Sequence, residues 1–199
     1  KTDELIYWGQ IMDLYSEFSF NMNNVVKAED RKKEFEKREK YYIEMSMLKT
    51  GELLGVSFQL GAFLAGSNSH ALMREFGKNL GVCFQIKDDL IDMTGKKGHD
   101  IGSDIRNGKI TLLLIKALEN ANESQKRIIL DVFGKSNADP ENIRKVISIM
   151  HETGAVVYCE RIASFYMNQA YSILERVEIP QIYKIKLKEF ADSVLVREN

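Results

Sequence analysis

Residues 76 to 92 read FGKNLGVCFQIKDDLID. The apolar stretch from Leu80 to Phe84 runs directly into three aspartates, and the spacing predicts a long, deeply packed helix over about His70 to Met93. On such a helix Asp88 and Asp92 lie one turn apart on one face. Asp89 is about 100° round from Asp88, and Gln85 precedes Asp88 by three residues on the same face. Three carboxylates this close repel each other and raise one another's pKa unless a cation neutralises them. Hard oxygen ligands on one helical turn suit magnesium, which keeps several waters and shares its shell with a phosphate. The competing reading is a solvated acidic helix face.

The neighbouring sequence bears on that choice. The loop TGKKGHDIGSDIRNGK, residues 94 to 109, follows at once and brings Lys96, Lys97, Arg106 and Lys109. Its glycines are expected either to let backbone N–H groups approach a phosphate or simply to form a surface loop. Upstream, Lys49 and Thr50 stand inside the apolar segment MSMLKTGELLGVSFQL. A buried lysine is costly unless paired, so Lys49 is either a snorkelling side chain or a cation aimed at a diphosphate.

Further out, nearly every segment has helical period. Ile6, Gln10, Asp13, Leu14 and Glu17 share a face of a first helix. The charged run Lys27 to Lys40 offers the i, i+4 pairs Glu29/Lys33, Glu34/Arg38 and Glu36/Lys40, which reads as a solvated helix or tether. A long apolar helix is expected from Tyr41 to Ala65. The uncharged stretch Leu53 to Met73 reads as a buried helix with its exit loop rather than a membrane span. In the back third, Asn122 with Gln125 predicts a capping box and Gly134 a stop. Asp139-Pro140 opens a helix with Ile143, Val146, Ile147 and Met150 inward. Tyr158, Ile162, Phe165, Tyr166, Ile173 and Val177 line another. Pro180 opens the last, expected to bury Leu187, Phe190, Ala191, Val194 and Leu195. The chain has 199 residues, 44% hydrophobic and 29% charged, with two prolines, which favours one all-α domain over residues 1–199. The net charge of -1 gives no electrostatic case for nucleic acid. Cys83 and Cys159 read as buried thiols in a reducing cytosol, hence a cytoplasmic protein, with a disulfide between them as the alternative.

These pieces together resemble the trans-isoprenyl diphosphate synthases, such as farnesyl and geranylgeranyl diphosphate synthases. The resemblance is carried by GQIMDL (9–14), KTGELL (49–54), FGKNLGVCFQIKDDLID (76–92) and GSDIRNGKITL (102–112), in the family's order. It implies a bundle of long helices around a central cavity, a magnesium cofactor, a homodimer, and no integral membrane segment. The implied reaction condenses an allylic diphosphate with isopentenyl diphosphate. In that scheme Asp88 ligates magnesium, while Asp89 and Asp92, with Asp104 from the loop, hold its waters or complete its shell. Lys49 and Lys109 grip the allylic diphosphate. Gln85, Thr50 and nearby helix carbonyls face the nascent cation, and Gln10 and Asp13 line the same cavity.

Two departures from the family pattern stand out. His99 and Asp100 occupy positions where the family usually has a lysine. The family's first aspartate-rich motif, with its arginine pair, has no counterpart in residues 1 to 8. The expectation is therefore that the N-terminal helices are missing and that this stretch alone turns over poorly. A class I terpene cyclase is the nearest rival enzyme; Asp92 followed by Met93, Thr94 and Gly95 does not suit its second metal motif. A non-catalytic subunit of a heteromeric synthase is the rival of another class.

Overall fold

The computed structural model describes residues 1–19, 31–94 and 101–195, and all regular structure among them is helical. The helices are α1 (Thr2–Ser19), α2 (Arg31–Ser46), α3 (Glu52–Leu64), α4 (His70–Asp92), α5 (Ser103–Asn107), α6 (Leu112–Asn120), α7 (Glu123–Val132), α8 (Pro140–Glu152), α9 (Ala155–Arg176) and α10 (Gln181–Leu195). A π-helical turn, Met47–Gly51, joins α2 to α3.

Two compact units divide the chain. The first comprises Lys1–Ile11, Ile43–Lys87 and Arg161–Arg197; the second comprises Met12–Tyr42, Asp88–Glu160 and Glu198–Asn199. In the first unit α3 and the π turn ahead of it meet α4 through glycines. A Cβ on Gly81 would lie 2.5 Å from the Gly51 Cα, and one on Gly77 would lie 2.7 Å from the Gly55 Cα. With no side chain between them the backbones approach closely. Glu52 is buried beside this contact and is held by Arg74 and Lys78, each at 2.5 Å. Phe58 stacks edge-on against Phe76 in the same unit.

In the second unit α6 is buried all round, from Leu112 to Leu118. A helix apolar on every side must be enclosed. Lys116 joins it only because Glu39 at 2.6 Å and Glu119 at 2.7 Å take its charge, with the Tyr158 ring beneath it. The caps expected from sequence are formed. Asn122 and Gln125 make the reciprocal capping box, Asp139 accepts from the Glu141 N–H ahead of Pro140, and Gly134 adopts a left-handed φ of 72° just past α7. Cys83 and Cys159 are buried free thiols, and burial raises the Cys83 pKa to about 12.

Several expectations need correction. The helix expected from Tyr41 begins at Arg31, so residues 31–40 of the charged run are helix, with Phe35 buried and Arg38 paired to Glu34 at 2.8 Å. The stretch from Leu53 is not a buried helix: Leu53, Leu60, Phe63 and Leu64 are exposed, because α3 packs by its glycine face and turns the opposite face outward. Phe165 and Phe190 are exposed rather than core, since only one stripe of each helix is covered. Ile147 is half-buried. Glu29, Lys96, Lys97, His99 and Asp100 lie outside the described residues, as do the side chains of Glu17 and Leu195.

Candidate active site

The first unit carries Lys49, Thr50 and Gln85. Lys49 and Thr50 lie on the π turn, where the Glu52 N–H donates to the Met47 carbonyl five residues back. A turn this wide interrupts the ordinary i to i−4 ladder, and such bulges occur often at functional sites. Gly9 explains why α1 can reach it: a Cβ there would collide with the Lys49 backbone nitrogen. Thr50 Oγ1 donates to Gln85 Oε1 at 2.9 Å, so the structure brings these two expected residues together. Gln85 is buried, Lys49 and Thr50 are half-buried, and Gln10 is exposed.

The second unit carries the aspartates. Asp88 is exposed on α4, Asp92 is half-buried, and Asp89 is only 3% exposed. Each Asp89 oxygen meets a donor: Tyr42 Oη donates to Oδ2 at 2.6 Å and Lys109 Nζ to Oδ1 at 3.0 Å. Lys109 also reaches Asp104 Oδ2 at 3.3 Å. Asp92 receives the start of α5. Ser103 Oγ donates to its Oδ1, and the Asp104 N–H donates to its Oδ2 at 3.1 Å. The segment expected as an irregular loop therefore contains a short helix capped by a side chain from α4. Gly102 and Gly108 serve the turns at its two ends. They have φ of 70° and 73°, where an L side chain is strained. A Cβ on Gly102 would also strike Ile143 Cγ2. Arg106 donates to the Ile101 carbonyl of its own segment at 2.9 Å. Asp13 is buried in this unit, and its charge helps to hold Lys109 protonated.

Among the described residues the cluster carries an excess of negative charge. Burial is the largest influence on Asp104; Lys109 opposes it, and the charges of Asp89 and Asp92 add to it, raising the pKa to about 7. Burial also works against the Lys109 cation, but Asp89 and Asp104 outweigh it and hold its pKa above the ordinary lysine value. The two partners thus respond unequally: Lys109 sits nearer Asp89, and Asp104 bears two like-charged neighbours.

Among the described residues no three His, Cys, Asp or Glu side chains form a ready metal cage. Magnesium does not need one. It binds through one or two carboxylates and completes its octahedron with water and substrate phosphate. An exposed Asp88 beside half-buried Asp92, in a cluster of net negative charge, is a donor set of that kind. Tyr42, Ser103 and Gly9 are site residues not singled out from sequence. The only signal for Tyr42 was its place two helical turns before Lys49 in YYIEMSMLKT.

The fold and these positions define a class. The sequence profile described as polyprenyl synthetase matches residues 2–150, and the chain belongs to that family. It is 37% identical over 153 residues to a geranylgeranyl diphosphate synthase of Sulfolobus acidocaldarius, a match covering 72% of this chain and 46% of that protein. The structure superposes on geranylgeranyl pyrophosphate synthetase from Pyrococcus horikoshii with a TM-score of 0.80 and 27% identity, covering 99% of this chain and 56% of that one. A geranylgeranyl pyrophosphate synthase from Corynebacterium glutamicum, solved with isoprenyl diphosphate and magnesium, gives 0.82 and 26%, covering 97% and 52%. The chain spans about half the length of the curated relatives it matches.

Proposed function

We propose that this chain carries a prenyl-transfer site, one that condenses an allylic diphosphate with isopentenyl diphosphate and releases diphosphate. The observation that carries this is the cluster in the second unit: Asp89, Asp92 and Asp104 gathered around α4 and α5, with Lys109 bonded to two of them. In the reaction the C–O bond of the allylic substrate breaks and its electron pair leaves with diphosphate. The double bond of isopentenyl diphosphate attacks the resulting cation, and a proton is lost. Asp88, with Asp92 and Asp104 close by, would hold magnesium, which when bound would supply positive charge to the departing diphosphate. Lys109 binds the diphosphate as a cation placed in advance by Asp89 and Asp104, which costs no reorganisation when charge develops. In this reading the oxygens of Thr50 and Gln85, hydrogen-bonded to each other in the first unit, serve to stabilise an allylic cation.

Residues 1–199 form one prenyltransferase domain in this reading, and the protein is a cytoplasmic homodimer. The exposed apolar face of α3 supports the pairing. Among the described residues no helix is long and apolar enough to cross a membrane.

The test is calorimetry with pyrophosphate, with and without magnesium, on the chain and on Asp88→Asn. Binding that needs magnesium and weakens at least about a hundredfold in the variant is expected, the scale of losing one preorganised electrostatic contact. Melting in EDTA should be nearly unchanged, because the variant relieves like-charge repulsion. Magnesium-independent binding, or a melting temperature many degrees lower with binding intact, would overturn the assignment.

A further inference from the structure

Tyr42 lies on α2 with its side chain 2% exposed. Its hydroxyl donates to Asp89 Oδ2 at 2.6 Å, while Lys109 Nζ occupies Oδ1 at 3.0 Å. The carboxylate is a bridge, with one oxygen turned to the aromatic hydroxyl and the other to the ammonium. A buried carboxylate held from one side only can rotate about its last bond toward its single donor. Donors on both oxygens fix its plane. Lys109 needs such fixing, since its four-carbon stem is flexible and its ammonium is a point charge without directional preference. Its acceptors here are Asp89 and Asp104, both reached by the one nitrogen.

We infer that Tyr42 is a positioning residue: its hydroxyl sets the plane of the Asp89 carboxylate, and Asp89 in turn holds the Lys109 ammonium where a diphosphate is gripped. On this view Asp89, the middle carboxylate of KDDLID, acts as a brace rather than as a metal ligand. The inference rests on the reading of Lys109 as a diphosphate-binding cation. A tyrosine that only filled space would contribute its ring, and phenylalanine would replace it without loss of binding. A tyrosine that acts through its hydroxyl loses its effect when Lys109 is gone.

The experiment is a double-mutant cycle read as the affinity for pyrophosphate in saturating magnesium, with thermal melting as the check on folding. Lys109→Ala should weaken binding strongly. Tyr42→Phe should weaken it about tenfold, the size of one lost hydrogen bond to a charged group. The double variant should bind no more weakly than Lys109→Ala alone. Asp89→Asn keeps the shape but not the charge, and should match Lys109→Ala even if Tyr42→Phe melts early. Unchanged affinity in Tyr42→Phe with Lys109→Ala impaired overturns this inference alone. So do losses that multiply in the double variant. Wild-type affinity in Lys109→Ala overturns the diphosphate reading of that lysine, and this inference falls with it.

Discussion

At the scale of single residues, Glu52 and Lys116 are charges buried where opposite charges meet them. Glu52 shows how the balance is struck. Burial pushes its pKa up and is the largest single influence, but the hydrogen bond and charge of Lys78, followed by those of Arg74, together bring it below the ordinary 4.5. A carboxyl whose folded pKa is depressed adds stability above its unfolded value and loses it as pH falls through the folded one. Wild-type melting temperature should therefore drop as pH falls below 4.5. Glu52→Gln should be less stable at neutral pH by about 1–3 kcal/mol, the scale of hydrogen bonds to a charged group. Its acid-side slope should be shallower, and thermal melting between neutral and acid pH checks both. An equal slope in the variant would assign the acid sensitivity to other carboxylates.

At the scale of elements, glycine decides how closely helices approach. A methyl group on Gly81 would meet the Gly51 Cα at 2.5 Å and its nitrogen at 2.8 Å, backbone atoms with no rotamer by which to yield. Gly61, on α3, has nothing within 4 Å of such a methyl group. Gly81→Ala is therefore expected to destabilise by about 3 kcal/mol, at the upper end of ordinary overpacking. Gly61→Ala should stabilise by about 0.5–1 kcal/mol through helix propensity alone. Denaturant titration of the two variants against wild type measures both. A neutral Gly81→Ala would mean the α3–α4 contact relaxes without cost.

At the scale of the whole molecule, apolar helix faces remain open. Leu53, Leu60 and Leu64 recur along α3 at helical spacing, with Phe63 65% exposed beside them. Tyr7, Trp8, Ile11, Leu14 and Tyr15 make a similar stripe on α1. Exposed apolar surface of this kind marks association sites. Light scattering at micromolar concentration should give a mass above the 22.9 kDa of one chain. Leu53→Glu with Leu60→Glu should lower it toward a single chain if α3 forms the contact. A monomer before the substitutions would remove the dimer from the proposed function.

By itself the sequence determined that the chain is helical, where several helices start and stop, and which acidic turn is chemically unusual. These are local properties. Periodicity, the Asn122–Gln125 box, the Asp139-Pro140 start and the KDDLID spacing each act within a few residues, so adjacent side chains suffice to encode them. Only the tertiary structure decided what each side chain meets. Thr50 and Gln85 are 35 residues apart in sequence, and Tyr42 and Asp89 are 47 apart. The π turn at Lys49 carries no distinctive local pattern; it appears where Gly9 and Gly81 let neighbouring helices press against that backbone. Which apolar faces are covered is likewise set by helix approach. Judging burial from an apolar run therefore fails in both directions: α6 encloses even Lys116, while α3 exposes Leu60. Burial arises from helices packed together, and no single helix contains the information that fixes it.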